Sequence, residues 1–274
     1  PKQKVDGWRG VSERFTHVHM NNNFAQTYEI IASVIQKDTN IWQSFCKSKS
    51  AEFESLKATY TKHALFSDVA DEDLDKISQG CYPLHLVSTF ILPRLSERVA
   101  QNERTLFTFL SAEGKSTLPA FLQKYEDESF DVITPDMIYD YFEPLFIKEV
   151  YSGDLHKNYI LASTILEKLE PESLESKIIK ALGLIYILEQ FDKLKPTVGE
   201  IADMFKISYP VGVIKEAINN LIEKKYVIYL KRSNDYLRLK QTSGVDIREK
   251  ISNLMEIQQR TVTLRDTLNS VNFD

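Results

Sequence analysis

One arginine makes the sharpest chemical demand in this sequence. Gln101-Asn102-Glu103-Arg104 is followed at once by Leu106, Phe107, Phe109 and Leu110, so a cation stands at the start of an apolar helix. The positive end of a helix dipole favours an anion there, not a guanidinium. Arg104 makes sense as a ligand for an anion arriving from outside, such as a nucleotide phosphate; the plainer reading is a surface arginine on a core helix. Arg14, in Glu13-Arg14-Phe15, stands where a short strand would begin and is a second candidate cation. Gly114-Lys115-Ser116-Thr117 has the tail of a phosphate-binding loop. The full motif needs a glycine five residues before Gly114, where Phe109 stands, and a strand ahead of it, where the pattern is helical. A helix-to-helix turn is expected instead, with Ser116 or Thr117 capping the helix of Leu118, Phe121 and Leu122. His17 and His19 would share one face of a strand, but no cysteine or carboxylate cluster is in register to complete a metal site. They read as ordinary strand histidines, and no metal is expected.

The elements that must position these residues follow from apolar spacing. Leu84, Val87, Ile91, Leu95 and Val99 recur at steps of three and four, a helical stripe facing a core. Pro93 sits inside it and is expected to kink or split the helix. Upstream, Glu13 to Met20 alternates as a short strand, and Asn21 to Asn23 form a polar break and potential cap. Phe24, Tyr28, Ile31 and Ile35 then follow at helical spacing. Ile41, Trp42, Phe45 and Cys46 mark another helix, and Phe53, Leu56, Tyr60 and Ala64 the next. Asp71 to Ile77 reads as a short acidic helix. Thr134-Pro135-Asp136 starts a helix with a cap residue and a proline in the first turn, and Ile138, Tyr141, Phe142, Leu145 and Phe146 are its apolar face. Asp154 to Leu169 is the next, and Glu170-Pro171-Glu172 reads as a charged, proline-broken joint.

Past that joint, Ile178 to Phe191 is apolar almost all round, as in a helix buried inside a small domain. Val198 to Phe205 and Pro210 to Lys224 are two further helices, with Val211, Ile214, Ile218, Leu221 and Ile222 of the second inward. Tyr226 to Leu230 and Tyr236 to Leu239 flank Ser233-Asn234-Asp235, a hairpin signature. Three helices and a hairpin predict a winged helix. Were it to bind duplex DNA, contacts would come from Lys231 and Arg232 at the hairpin tip, with Lys215 and Lys224 on the flank. Glu216 and Glu223 would repel phosphate, so a protein partner stays equally open. From Val245, a stripe of Ile247, Ile251, Leu254, Ile257, Leu264, Leu268 and Val271 predicts a C-terminal helix over 245–274.

With 274 residues, the chain has room for one large or two to three small domains. Its composition, 43% apolar and 27% charged, is that of a folded soluble protein. No apolar run approaches the roughly 18 residues of a membrane span, and no secretory leader is visible. Cys46 and Cys81 are too few for a disulfide framework or a zinc cage, so a cytoplasmic setting is expected. Net charge is −5, but twelve basic against seven acidic residues fall between Ser176 and Lys240. Only that later region is therefore expected to meet nucleic acid. The start at Pro1 and the end at Asn272-Phe273-Asp274 suggest part of a longer polypeptide.

Tyr82, Pro83 and His85, with Gln101, Asn102, Glu103, Arg104 and Thr105, resemble a segment of large bacterial AAA+-like ATPases, including those of phage-defence islands. Those relatives usually carry a second proline after the histidine, where this chain has Leu86. The segment also resembles the sensor 2 region of AAA+ lids, where an arginine ahead of an apolar run reaches the γ-phosphate. The resemblance implies that role for Arg104, and for Arg14 that of a finger reaching a neighbouring subunit's nucleotide. It implies a mainly α fold: residues 1–23 ending an ATPase core, a helical lid over 24–153, a connecting helix and linker over 154–175, and a winged helix over 176–244. ATP and Mg2+ would be cofactors of the parent protein, with none held by this portion, which lacks a phosphate-binding loop and should be inactive alone. Implied partners are the missing N-terminal core, duplex DNA or another defence-system subunit, in an oligomer away from membranes. The alternative is a non-enzymatic winged-helix adaptor or transcription regulator with a helical effector domain.

Overall fold

Burial on every side, not along one stripe, marks the helix at the centre of the molecule. The computed structural model describes residues 24–61, 63–67, 69–100, 104–125, 129–148, 153–230 and 235–240. The elements at 13–20 and 245–274 expected from the sequence lie outside these residues. Helix α5 spans Leu86–Ala100, and every residue from Cys81 to Pro93 is buried. Leu84, Val87, Ile91, Leu95 and Val99 face the core as their spacing predicts, and Leu86, Phe90 and Leu92 are buried as well. Pro93 does not split the helix, which runs on to Ala100. A proline removes one backbone donor and crowds the carbonyl four residues back; packing all round holds the helix across that defect.

The other elements surround this spine. Before it come α1 (Phe24–Val34), α2 (Thr39–Ser48), α3 (Ser50–Tyr60), a single 3-10 turn at Ala64–Phe66 and α4 (Asp71–Gly80). Asp38 caps α2 by accepting from the Asn40 and Ile41 amides, both at 3.0 Å. No residue of α2 is buried, and Ile41, expected inward, is 72% exposed. Trp42, Phe45 and Cys46 instead rest on a small cluster of Phe53, Tyr82 and Val132 beside the main core. Gly80 allows α1 and α4 to meet, since a Cβ there would lie 2.8 Å from that of Ala32. At the entry to α5, the Ile133 amide donates to Pro83 O at 2.8 Å and the His85 amide donates to Ile133 O at 3.1 Å.

After the spine come α6 (Arg104–Ser111), α7 (Leu118–Leu122), α8 (Pro135–Phe146), α9 (Asp154–Leu166) and α10 (Leu174–Leu188). Helix α9 stops three residues short of the Leu169 expected from the pattern. Helix α10 begins earlier than Ile178, because Ser173 caps it through the Ser176 amide, and ends at Glu189 in the left-handed region with φ 55°. From Ile178 it is buried almost all round as predicted, with half-buried Lys180 paired to Asp140, but it stops three residues short of the expected Phe191. It packs against α9, α8, α12 and α5. A Cβ on Gly183 would lie 3.2 Å from Ala162 Cβ and 3.3 Å from Tyr139 Cε2, so α8, α9 and α10 converge there. The chain closes with α11 (Val198–Phe205), α12 (Val211–Glu223), β1 (Val227–Tyr229) and β2 (Leu237–Leu239).

The two strands are antiparallel, pairing Val227 with Leu239, Ile228 with Arg238 and Tyr229 with Leu237. Val227, Leu237 and Leu239 turn inward, while Ile228, Tyr229 and Arg238 are exposed, the alternation of a half-buried hairpin. Pro196 O accepts from the Leu237 amide at 2.7 Å, and Thr197 bridges Tyr236, so the segment before α11 runs alongside the hairpin. The described residues thus form a mainly helical protein, twelve α-helices with one small antiparallel sheet. One apolar cluster runs without a break from Tyr28 to Leu239, across Glu170-Pro171-Glu172. No helix among the described residues is long and apolar enough to cross a membrane.

Candidate functional site

Arg104 is the first residue of α6, and its backbone is firmly seated. Leu106, Phe109 and Leu110 are buried, the Tyr141 hydroxyl donates to Thr105 O at 3.1 Å, and the Phe109 and Tyr141 rings meet edge to face at 5.1 Å. The Arg104 side chain is exposed, has no hydrogen-bond or ion-pair partner among the described residues, and meets no carboxylate in the first turn of α6. The two arginines of α5 contrast with it. Arg94 donates to the Tyr28 hydroxyl at 2.7 Å and to Phe90 O at 3.0 Å, with its guanidinium 3.6 Å over the Phe90 ring. Arg98 donates to Leu188 O at 3.1 Å and pairs with Glu189 at 2.6 Å. Those two are structural, whereas Arg104 is an exposed cation on a fixed stem, without a partner among the described residues.

Gly114 to Thr117 forms the turn between α6 and α7, with a helix and not a strand ahead of it. Ser116 takes the left-handed conformation at φ 58°. Thr117 occupies the cap position, but its hydroxyl donates back to Gly114 O at 3.0 Å and not into α7, so the expected side-chain cap is not made. Arg14, Lys231 and Arg232 lie outside the described residues, as do His17 and His19. No group of three His, Cys, Asp or Glu side chains is placed to hold a metal ion among the described residues. Cys46 and Cys81 are both free thiols, and burial pushes that of Cys81 up to about 12.

Lys215 and Lys224 are exposed on and just after α12, 42% exposed Val211 and 46% exposed Val213 begin the same helix, and Glu216, Asn219 and Glu223 complete its outer face. That face is mixed in charge and partly apolar. The described part of it offers an anion two lysines, not a basic stripe.

A third constellation joins residues the sequence pattern does not connect. Lys206 Nζ donates to Thr59 Oγ1 and to Asp203 Oδ1, and His63 Nε2 pairs with Glu200. The Tyr60 ring lies 5.1 Å from that of His63 and 5.5 Å from that of His85. Each histidine uses Nδ1 to accept a backbone amide two residues on, from Leu65 at 3.4 Å and from Val87 at 3.2 Å. Burial, helped by the Lys206 charge, lowers the His85 pKa to about 3, so its imidazole is neutral. Burial, with Asp203 and Glu200 nearby, holds the Tyr60 phenol well above its ordinary range. His85 is legible only as part of the Tyr-Pro-x-His segment, and nothing local signals its neighbours: Thr59 and Lys206 are 147 residues apart. No family model, curated protein or solved structure matches the chain.

Proposed function

We propose that this chain is the lid and winged-helix portion of an AAA+-like ATPase, with Arg104 supplying a cation to the γ-phosphate of ATP held by a separate core. The observation that carries this reading is the seated backbone of Arg104 at the start of α6 and its exposed guanidinium, without a partner among the described residues. A side chain so placed is pre-organised to meet an incoming anion, and little needs to rearrange when it does. Mg2+ and the phosphate cradle would belong to the core, because the described residues group no carboxylates for a metal. In this reading Arg14 serves a neighbouring subunit's nucleotide, and the parent protein is an oligomer that acts in the cytoplasm in phage defence.

The order α10, α11, α12, β1, β2, with Pro196-Thr197 alongside the hairpin, supports a winged helix as the second working part. Exposed Val211 and Val213, with Glu216 and Glu223 beside Lys215, favour a protein partner over duplex phosphate for this module. Those same residues also favour the non-enzymatic winged-helix adaptor as the second reading.

In the protein carrying its core, Arg104→Ala is expected to lower ATP turnover or affinity tenfold to a hundredfold. A hydrogen bond to a charged group is worth about 1.5–3 kcal/mol. Arg104→Lys should retain part of the function, and the thermal unfolding midpoint should hardly move, since the side chain is exposed. Turnover and affinity equal to wild type in Arg104→Ala would leave the adaptor reading. This chain alone should show no micromolar ATP affinity by calorimetry, because one arginine cannot replace a cradle of backbone amides.

A further inference from the structure

A short segment, Thr59 to Ser67, makes three polar ties to one stretch of the C-terminal region. Lys206 reaches Thr59, Glu200 reaches His63, and Lys193 donates to Ser67 Oγ at 2.7 Å. The His63 and Glu200 side chains are 10% and 14% exposed, so the middle tie is nearly enclosed. Directly beneath it lie Tyr60 and His85, both buried. With Nδ1 of His85 occupied by the Val87 amide, the ring proton is on Nε2, and that N–H finds no acceptor among the described residues. The Tyr60 hydroxyl likewise has no partner among them. A buried polar group lacking a partner penalises the arrangement that buries it. Two such groups under a row of polar ties make a closure held against a cost.

We propose that the elbow carrying Thr59, His63 and Ser67 is a latch, which closes the N-terminal helices onto α11 and opens to wet Tyr60 and His85 while α8, α9 and α10 stay packed. The ties hold the closed state, and the two unsatisfied groups bias it toward opening. The gap between the states is therefore small enough for a bound partner to shift. Three features place the moving boundary here and not elsewhere. All three ties run from Thr59, His63 and Ser67, close together in sequence, to Lys206, Glu200 and Lys193. They are side-chain contacts, which part without unravelling a helix. Helix α10 packs most extensively on α9 and α8, and far less on α11. The latch does not depend on the role given to Arg104.

Hydrogen exchange on the full chain, read by mass spectrometry, tests the proposal. In Glu200→Gln/Lys206→Met, exchange should rise at least tenfold in residues 56–66 and 198–206, with residues 135–188 unchanged. Tyr60→Phe keeps the ring and removes one unsatisfied group, so exchange in the same two segments should slow severalfold. A uniform rise across the molecule in the double variant, or no rise, would overturn the latch. Faster exchange in Tyr60→Phe would also overturn it, since the hydroxyl would then be a satisfied member of the closed state.

Discussion

Two surfaces of contact hold the C-terminal region in place, and they are built from different materials. Helix α10 meets α8 and α9 through buried side chains from all three, at an approach so close that a Cβ at position 183 would lie 3.2 Å from that of Ala162. The elbow meets α11 and the residues on either side of it through Thr59, His63 and Ser67 facing Lys206, Glu200 and Lys193. The first seam draws chiefly on apolar burial, which has no directional requirement and adds up over area, with the Lys180–Asp140 ion pair and an Asn158 bond to Tyr186 O beside it. The second draws on individual polar contacts, each worth little in net terms because water offers the same bonds in the open state. Inter-domain contacts that move share this polar character. The difference teaches where the molecule is permanent and where it is adjustable.

The largest effect should come from breaking the apolar seam. Phe146 is wholly buried, stacks on Phe142 at 6.4 Å and meets Tyr159 of α9 at 5.9 Å. Truncating a buried phenylalanine costs about 3–5 kcal/mol, so Phe146→Ala should lower the denaturant midpoint of the entire chain in one cooperative transition. If the midpoint of the whole chain does not move in Phe146→Ala, apolar packing at α8 and α9 is not what holds the chain together.

The apolar seam was legible because apolar residues announce themselves by period. Leu84 to Val99, Ile138 to Phe146 and the all-round apolar run from Ile178 predict helices, and the structure has them. What failed locally failed for tertiary reasons. Pro93 is carried by a helix buried on all sides, and Ile41 turns outward while Trp42 and Phe45 on the same helix rest on Phe53, Tyr82 and Val132. The end of α9 at Leu166 has no glycine or proline to mark it. The polar seam was not legible at all, since Thr59, His63 and Lys206 carry no periodic signal. Arg104 stands between these cases. Its residue type and place were readable from sequence, but its lack of a partner required Arg94 and Arg98 to be seen engaged.

Acid should sharpen the comparison, because the two seams titrate in opposite senses. His85 has a folded pKa of about 3 against an ordinary 6.5, so the native state binds fewer protons than the unfolded chain between those values. Its contribution is fully present above pH 6.5 and is lost as pH falls toward 3. The slope is at most about 1.4 kcal/mol per pH unit, giving about 2–3 kcal/mol lost by pH 4.5. Asp136 and Asp140 of α8 are shifted upward, chiefly by burial, so the native state takes up protons more readily there. Their contribution is fully present below the ordinary pKa of 3.8 and is lost as pH rises through the shifted values. Hydrogen exchange at pH 5 should therefore rise around residues 60–66 and 85–90 before residues 135–146. His85→Asn, which keeps an acceptor for the Val87 amide, should flatten the acid limb of the stability profile. An unchanged limb in that variant would remove His85 as its cause.

The smallest effect is expected where the two materials meet, at the C-terminus of α10. Arg98 donates to Leu188 O, one of the carbonyls a helix end leaves without an internal partner. It also pairs with Glu189, which occupies the left-handed position that ends the helix at φ 55°. The ion pair is 36% and 41% exposed, a setting in which such pairs are worth about 0–1 kcal/mol. A cation against helix carbonyls adds about 0.3–1 kcal/mol. Arg98→Ala loses both and should cost about 1 kcal/mol. Glu189→Gly loses only the ion pair, and it relieves a left-handed strain of about 1–2 kcal/mol. It should therefore be neutral or slightly stabilising, although it deletes the same salt bridge. Denaturation of the two variants decides between carbonyl and carboxylate as the useful partner of Arg98. If Glu189→Gly costs as much as Arg98→Ala, the ion pair holds this corner, and the polar seam extends past α11 to the end of α10.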